Sequence, residues 1–218
     1  MKKNPLYKFC SKEWHPIIEQ NQVISEIKQK DFIFFENEPV KGIYFILKGK
    51  VKVISSNDED VERIHRLAGE GKLLGHRGFA AKYYPVSAVA LTDTTVAFIP
   101  NVIFIKLIKT NPKLSIYLIN FLTEELRETE ERMKNTLRLE VKHRIAHILL
   151  DLAVSFGFDV KDPEKLNHTL SRKEFANMAG TTYETVIRIL AYLQRRKLIK
   201  LAGKSIYIRN IKGLKNLP

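Results

Sequence analysis

Apolar positions change their spacing several times along the 218 residues. Up to about residue 27, Trp14, Ile17, Ile18, Val23 and Ile27 fall at intervals that predict a helical lead-in with a packing role. From Lys28 to Pro100 the pattern turns into short strand-like runs at 32–35, 43–47, 51–54, 64–67, 86–90 and 95–99. Gly42, Gly49, Gly69, Gly71, Gly75 and Gly78 punctuate them, and Asn57-Asp58 lies in an acidic turn. Several short strands at near-regular spacing predict a barrel or jelly roll.

Polarity changes again at Pro100. Neither Gly nor Pro occurs between Pro112 and Leu139, so a long helix is expected, with Pro112 tolerated in its first turn. Ile119, Leu122, Leu126, Thr129, Met133 and Thr136 advance by alternating three- and four-residue steps, the spacing of a coiled-coil seam. Leu114, Leu118 and Phe121 form a second stripe that packs back onto the roll; the alternative is one wide stripe buried inside a monomer. A second helix over 140–156 carries Val141, Ile145, Ile148, Leu149 and Leu152 and stops at Gly157. His143 and His147 stand four apart on it, but no third ligand accompanies them, and packing or surface roles explain the pair as well as a metal does.

The stretch from Leu170 to Arg196 carries the most chemistry. Ser171 and Glu174 have capping-box spacing at a helix start, Phe175, Ala176 and Ala179 point inward, and Gly180 permits a tight turn. Thr181 or Thr182 then caps a second helix. On that helix Val186, Ile189, Leu190 and Leu193 make an apolar stripe, while Tyr183, Glu184, Thr185 and Arg188 occupy another face. Leu198, Ile199 and Leu201, then Ala202-Gly203-Lys204, then Ile206 and Ile208 predict a small hairpin. Two helices joined by a glycine turn and followed by a hairpin describe a winged helix-turn-helix, whose second helix fits the DNA major groove.

The segments Leu170-Ser171-Arg172-Lys173-Glu174, Gly180, Glu184-Thr185-Val186-Ile187-Arg188-Ile189-Leu190 and Gly203-Lys204 resemble the CRP/FNR family of transcription regulators. Residues 42–51, Gly42-Ile43-Tyr44-Phe45-Ile46-Leu47-Lys48-Gly49-Lys50-Val51, are similar to the start of that family's cyclic-nucleotide-binding β-roll. The resemblance implies an α+β chain: a β-roll sensor domain over 1–111, a dimerisation helix and hinge over 112–139, and a DNA-binding winged helix-turn-helix over 140–218. It implies a homodimer on a pseudo-palindromic operator in double-stranded DNA, and RNA polymerase as a partner if the protein activates.

Within this frame Glu184 and Arg188 are base readers. Arg offers forked donors to guanine O6 and N7, and Glu accepts from cytosine N4, so the two together read a G·C pair. Their spacing also suits an i, i+4 ion pair, and Thr181 with Glu184 has capping-box spacing. Tyr183 is the third base-reading candidate, and it stands where the catabolite-activator branch commonly has Arg. Arg172, Thr182 and Lys204 fit phosphate contacts at a helix start, a helix cap and a wing tip.

The effector pocket implied by the resemblance comprises Gly75, His76, Arg77, Ser87, Ala88, Thr129 and Glu130. The cyclic-nucleotide branch pairs Gly-Glu with a later Arg-Ser-Ala; this chain has Gly75-His76 and Val86-Ser87-Ala88, lacking both functional side chains. Glu130 beside Thr129 would face an anionic ligand unfavourably. Cyclic AMP is therefore disfavoured, with Arg77 the nearby compensating cation. His76 keeps a haem ligand open, as in the family's carbon-monoxide sensor. Cys10 is the single cysteine, which excludes an internal disulfide and an iron–sulfur cluster held by four thiolates.

Charge supports this reading without deciding it. Residues 139–218 carry 15 Lys and Arg against 7 Asp and Glu, whereas the preceding 138 carry 22 against 17, so basicity is densest where DNA would lie. Lys2 and Lys3 precede no long apolar run and no 18 apolar residues occur together, so no membrane partner and a cytoplasmic location are expected. Two other classes compete: a cupin-like metal enzyme, which needs clustered ligands where His65 and His76 are isolated, and a nucleotide-sensing module for another protein, which would not need the basic winged helix. Enzyme activity is not expected.

Overall fold

The structure, a computed structural model, describes residues 4–56 and 62–217, and within helices the side chains of residues 136 and 137 are not included. The Lys2-Lys3 pair, the Asn57-Asp58 turn and the side chains of Thr136 in the seam and Leu137 at the hinge lie outside the described residues. The chain divides into two compact units, Met1–Asp60 with Ala68–Glu128, and Val61–Leu67 with Thr129–Pro218.

In chain order the elements are α1 (Leu6–Phe9), α2 (His15–Asn21), β1 (Val23–Ile27), β2 (Phe32–Phe34), β3 (Gly42–Lys48), β4 (Val51–Ser56), β5 (Glu62–Ala68), β6 (Leu73–Leu74), β7 (Ser87–Ala90), β8 (Thr94–Pro100), α3 (Asn101–Thr110) and α4 (Pro112–Arg138). After α4 come α5 (Val141–Phe156), α6 (Arg172–Ala179), α7 (Tyr183–Arg195), β9 (Ile199–Ala202), β10 (Ser205–Ile208) and α8 (Ile211–Lys215). Two four-stranded sheets, ordered β1-β8-β3-β6 and β2-β7-β4-β5, form the predicted roll.

The alternation along β3 shows how the roll is held. Ile43 and Phe45 face a cluster with Leu6, Ile18, Ile99, Phe104, Leu107 and Leu114, while Ile46 and the partly buried Tyr44 join a second cluster with Phe34, Val51, Val53, Leu74 and Ala88. A strand buried on both faces needs apolar residues at successive positions, and 43–47 supplies them. At Gly42 a β-carbon would lie 2.2 Å from the carbonyl oxygen of Ile99, so the close pairing of β3 with β8 requires glycine there.

The lead-in departs from expectation: it is helical only to Asn21, and Val23–Ile27 is a strand paired antiparallel with β8, Val23 opposite Phe98 and Ile27 opposite Thr94. Val23 and Ile24 are adjacent and both exposed, so no alternation announces a strand; its hydrogen-bonding partner lies some seventy residues onward. The long helix is present as α4, preceded by α3, for which the sequence reading had no assignment. Leu114 and Leu118 of α4 are buried in the cluster that also holds Cys10 and Leu107, with Phe121 packed against it. The seam positions stay open: Ile119, Leu126 and Met133 are each 62% exposed, and Leu122 is also exposed.

In the second unit, Ile145, Leu149 and Leu152 of α5, Phe175 of α6, Val186, Leu190 and Leu193 of α7 and Ile206 of β10 are buried. Beyond the expected hairpin, the segment before α6 lies along β10: Leu166 N–H donates to Ile206 O at 2.9 Å, and Ile208 N–H to Glu164 O at 2.7 Å. Arg209 pairs with Glu164 across this junction. Among the described residues no helix is long and apolar enough to cross a membrane.

Candidate nucleic-acid interface

The start of α6 is built by the capping box read from the sequence. Ser171 Oγ accepts from the Glu174 N–H at 3.2 Å, and Glu174 Oε2 accepts from the Ser171 N–H at 2.8 Å. Gly180 ends the helix in the left-handed region, φ 59°, ψ 53°, where a side chain would be strained. Thr182, not Thr181, caps α7: its Oγ1 accepts from the Thr185 N–H at 3.3 Å. The Thr181–Glu184 box is therefore not the one formed, because Thr181 still belongs to the turn and its N–H donates to Ala176 O.

Consequently α7 presents two faces. Val186, Ile189, Leu190 and Leu193 are buried, and Tyr183, Glu184, Ile187 and Arg188 are exposed. Among the described residues neither Glu184 nor Arg188 is drawn into a hydrogen bond or ion pair, so the i, i+4 pairing is not made. Thr185 is half-buried, its hydroxyl 3.2 Å from that of Thr182. Arg172, the first residue of α6, is half-buried near Tyr183, and desolvation lowers its affinity for its proton below the ordinary arginine range, with a smaller opposing influence from Tyr183. Lys204 is exposed at the hairpin turn, whose backbone is tied down where Thr169 Oγ1 donates to Lys204 O at 2.7 Å.

Arg144 was not singled out from the sequence, because side chain to backbone bonding leaves no pattern. Its guanidinium donates to Leu139 O at 3.1 Å, to Ala179 O at 2.8 Å and to Gly180 O at 3.4 Å. One cation thus joins the residues just after α4 to the carbonyl end of α6, where positive charge is favoured. His143 Nε2 lies 3.1 Å from Leu217 O, a packing role, and His147 is exposed. No group of three or more His, Cys, Asp or Glu able to hold a metal occurs among the described residues.

In the first unit Gly75, at φ 80°, opens a 3-10 turn holding His76 and Arg77. No pattern in the sequence marks their neighbour on α4: Glu125 Oε2 lies 3.8 Å from His76 Nε2 and 4.0 Å from Arg77 Nη2. The His76 and Glu125 side chains are only 9% and 13% exposed, and the ring of Phe121 meets His76 edge-on at 5.0 Å. Ser87 is buried with its Oγ accepting from the Glu36 N–H at 2.8 Å, and Ala88 is buried in the inner cluster of the roll. Thr129 and Glu130 are exposed on α4, in the second unit.

A winged helix-turn-helix with a groove-sized helix face, carried on the same chain as a β-roll, defines a DNA-binding transcription regulator. Residues 24–111 match the family described as cyclic nucleotide-binding domain, and residues 143–217 match the Crp-like helix-turn-helix domain. The chain is 32% identical over 187 residues to the cAMP-activated global transcriptional regulator CRP of Haemophilus influenzae, covering 82% of this chain and 80% of that protein. It is 29% identical over 182 residues to the transcriptional activator protein anr of Pseudomonas aeruginosa, covering 84% and 75%. In fold it is similar to FixK2 from Bradyrhizobium japonicum, with a TM-score of 0.80 at 23% identity over 90% of this chain and 96% of that one. The chain belongs to the CRP/FNR family of transcription regulators.

Proposed function

We propose that this regulator binds a pseudo-palindromic operator as a homodimer, each subunit reading one G·C pair with Glu184 and Arg188. The observation that carries this is the exposure of both side chains, four residues apart on α7, with no intramolecular partner among the described residues. An arginine with free forked donors matches guanine, and a carboxylate one turn earlier matches the paired cytosine. Arg172, Thr182 and Lys204 position the subunit on phosphates without reading sequence. Ile119, Leu122, Leu126 and Met133 form the dimer seam; exposed leucine-sized residues at seam spacing leave apolar surface that a second copy would cover. Selection from a random duplex library tests the reading. Half-sites one helical turn apart, each with a G·C pair that Arg188→Ala no longer enforces, support it. Enriched sequences with a single half-site, or a preference untouched by Arg188→Ala, refute it.

The proposed roles divide the chain into a sensing roll over 1–111, a dimerisation helix and hinge over 112–139, and a DNA-reading unit over 140–218, with bounds that differ from those of the two compact units. An effector at the Gly75–Arg77 turn would have to favour the DNA-competent dimer over the incompetent one to act. The residues at this turn do not fit a cyclic nucleotide. The branch's Glu and Arg are replaced, Ser87 is committed to the Glu36 backbone, and Glu125 already puts a carboxylate beside Arg77. Haem fits no better, because the imidazole of His76 is enclosed by Glu125 and Phe121. The reading is thus of an effector other than cyclic AMP, or of none. Mass spectrometry and an absorption spectrum of the purified protein test this, together with operator binding with and without cyclic AMP. A Soret band or a cyclic-AMP requirement overturns it. RNA polymerase is a further partner if transcription rises on binding.

A further inference from the structure

Ile187 is 45% exposed, on the face of α7 that also bears Glu184 and Arg188. The other large aliphatic residues of the helix, Val186, Ile189, Leu190 and Leu193, are buried, so core packing does not require an isoleucine at this position. Local preference does not require it either, since a β-branched residue is a weaker helix former than the alanine, lysine or glutamate usual on a solvated face. Tyr183, 50% exposed one turn earlier, continues the apolar surface, and residues three or four apart on a helix are neighbours. The patch therefore sits within the polar reading face. The major groove offers one apolar feature on its base edges, the C5-methyl of thymine.

We propose that Ile187, with Tyr183 beside it, reads the methyl of a thymine adjacent to the G·C pair of each half-site, making it a specificity-determining residue. The proposal rests on the reading of α7 as the base-reading helix. The stiff χ1 of isoleucine suits the task, because its methyls are held in one rotamer before DNA arrives. Polar recognition by Glu184 and Arg188 and apolar recognition by Ile187 would then specify adjacent base pairs independently.

The test uses the full-length protein and its selected operator, with thymines replaced by deoxyuridine one position at a time, which removes a single methyl and keeps base pairing. Burial of one such group predicts about a three- to fivefold loss of affinity at one thymine per half-site. Ile187→Ala should bind the thymine and deoxyuridine operators equally while still discriminating guanine. Arg188→Ala should do the reverse, losing guanine discrimination and keeping sensitivity to deoxyuridine. Indifference of the wild type to deoxyuridine at every position, with guanine discrimination intact, overturns the role of Ile187 and leaves the wider reading standing. Loss of both forms of discrimination in the wild type overturns the two together. Equal sensitivity to deoxyuridine in wild type and Ile187→Ala assigns the methyl to another side chain and overturns the proposal.

Discussion

Cys10 sits in the cluster between the β3 sheet face and the helices around it, and desolvation alone pushes its thiol up to about 11. Because the thiolate is the nucleophile, a thiol raised this far reacts slowly near neutrality. Labelling with a disulfide reagent at pH 8 should therefore be at least about tenfold slower in the native protein than in urea, where an ordinary thiol near 8.5 is restored; comparable rates would place Cys10 in a reactive setting instead. Arg188 is the opposite case, an exposed side chain proposed to act on DNA. Arg188→Ala should cost about 1–3 kcal/mol in operator binding and relax preference at one base pair. Competition with operators altered at that pair checks it, and uniform weakening on all sequences would reduce Arg188 to a phosphate contact. The exposed face of α7 that carries Glu184 and Arg188 was legible because helical spacing separates a polar face from an apolar stripe. Ile187 was not, since an aliphatic residue beside such a stripe reads as part of it. Glu125 was hidden for a different reason: in a helix rich in acidic residues, only the folded chain shows which carboxylate meets His76 and Arg77.

Helices α6 and α7 were readable almost to the residue because their ends are encoded locally, by Ser171 with Glu174, by Gly180 and by Thr182. The strand β1 and the two-residue β6 were not, because their backbone hydrogen bonds go to β8 and β3, far away in sequence. In α3 the run Val102-Ile103-Phe104-Ile105 has the composition of a strand, and its burial of Phe104 and Leu107 against the roll decides for helix. Arg144 ties the residue just after α4 to the end of α6 and the turn that follows it. Replacing Arg144 by Gln keeps helix propensity but removes the fork that spans Leu139, Ala179 and Gly180. Loss of charge-assisted bonds to helix-end carbonyls should destabilise the protein by about 1–3 kcal/mol. Operator binding should weaken more than binding to random duplex, because the orientation of α7 matters only where bases are read. Urea unfolding and the two affinities check this; an equal loss on both duplexes would limit Arg144 to stability.

Charge and hydrophobicity give linked tests of whether two copies act together. Each copy neutralises some number of phosphates, and the affinity for DNA falls with salt in proportion to that number. A dimer held through α4 engages twice the phosphates of one subunit in a single binding event, so its salt dependence is about twice as steep. Leu126 is the seam residue to alter: it is 62% exposed, so placing a charge there leaves the packing within the described subunit untouched. Leu126→Glu should sediment as a 25.3 kDa monomer where the wild type sediments at twice that mass. A like charge from each copy at an apolar seam is unfavourable. Its operator affinity should fall, because the second half-site no longer binds at the high effective concentration set by the first. The slope of log affinity against log salt should drop to about half. If the variant stays dimeric with its slope unchanged, the two subunits meet elsewhere. If it becomes monomeric with the wild-type slope, one subunit makes all the phosphate contacts, and the exposed stripe on α4 serves assembly rather than DNA recognition.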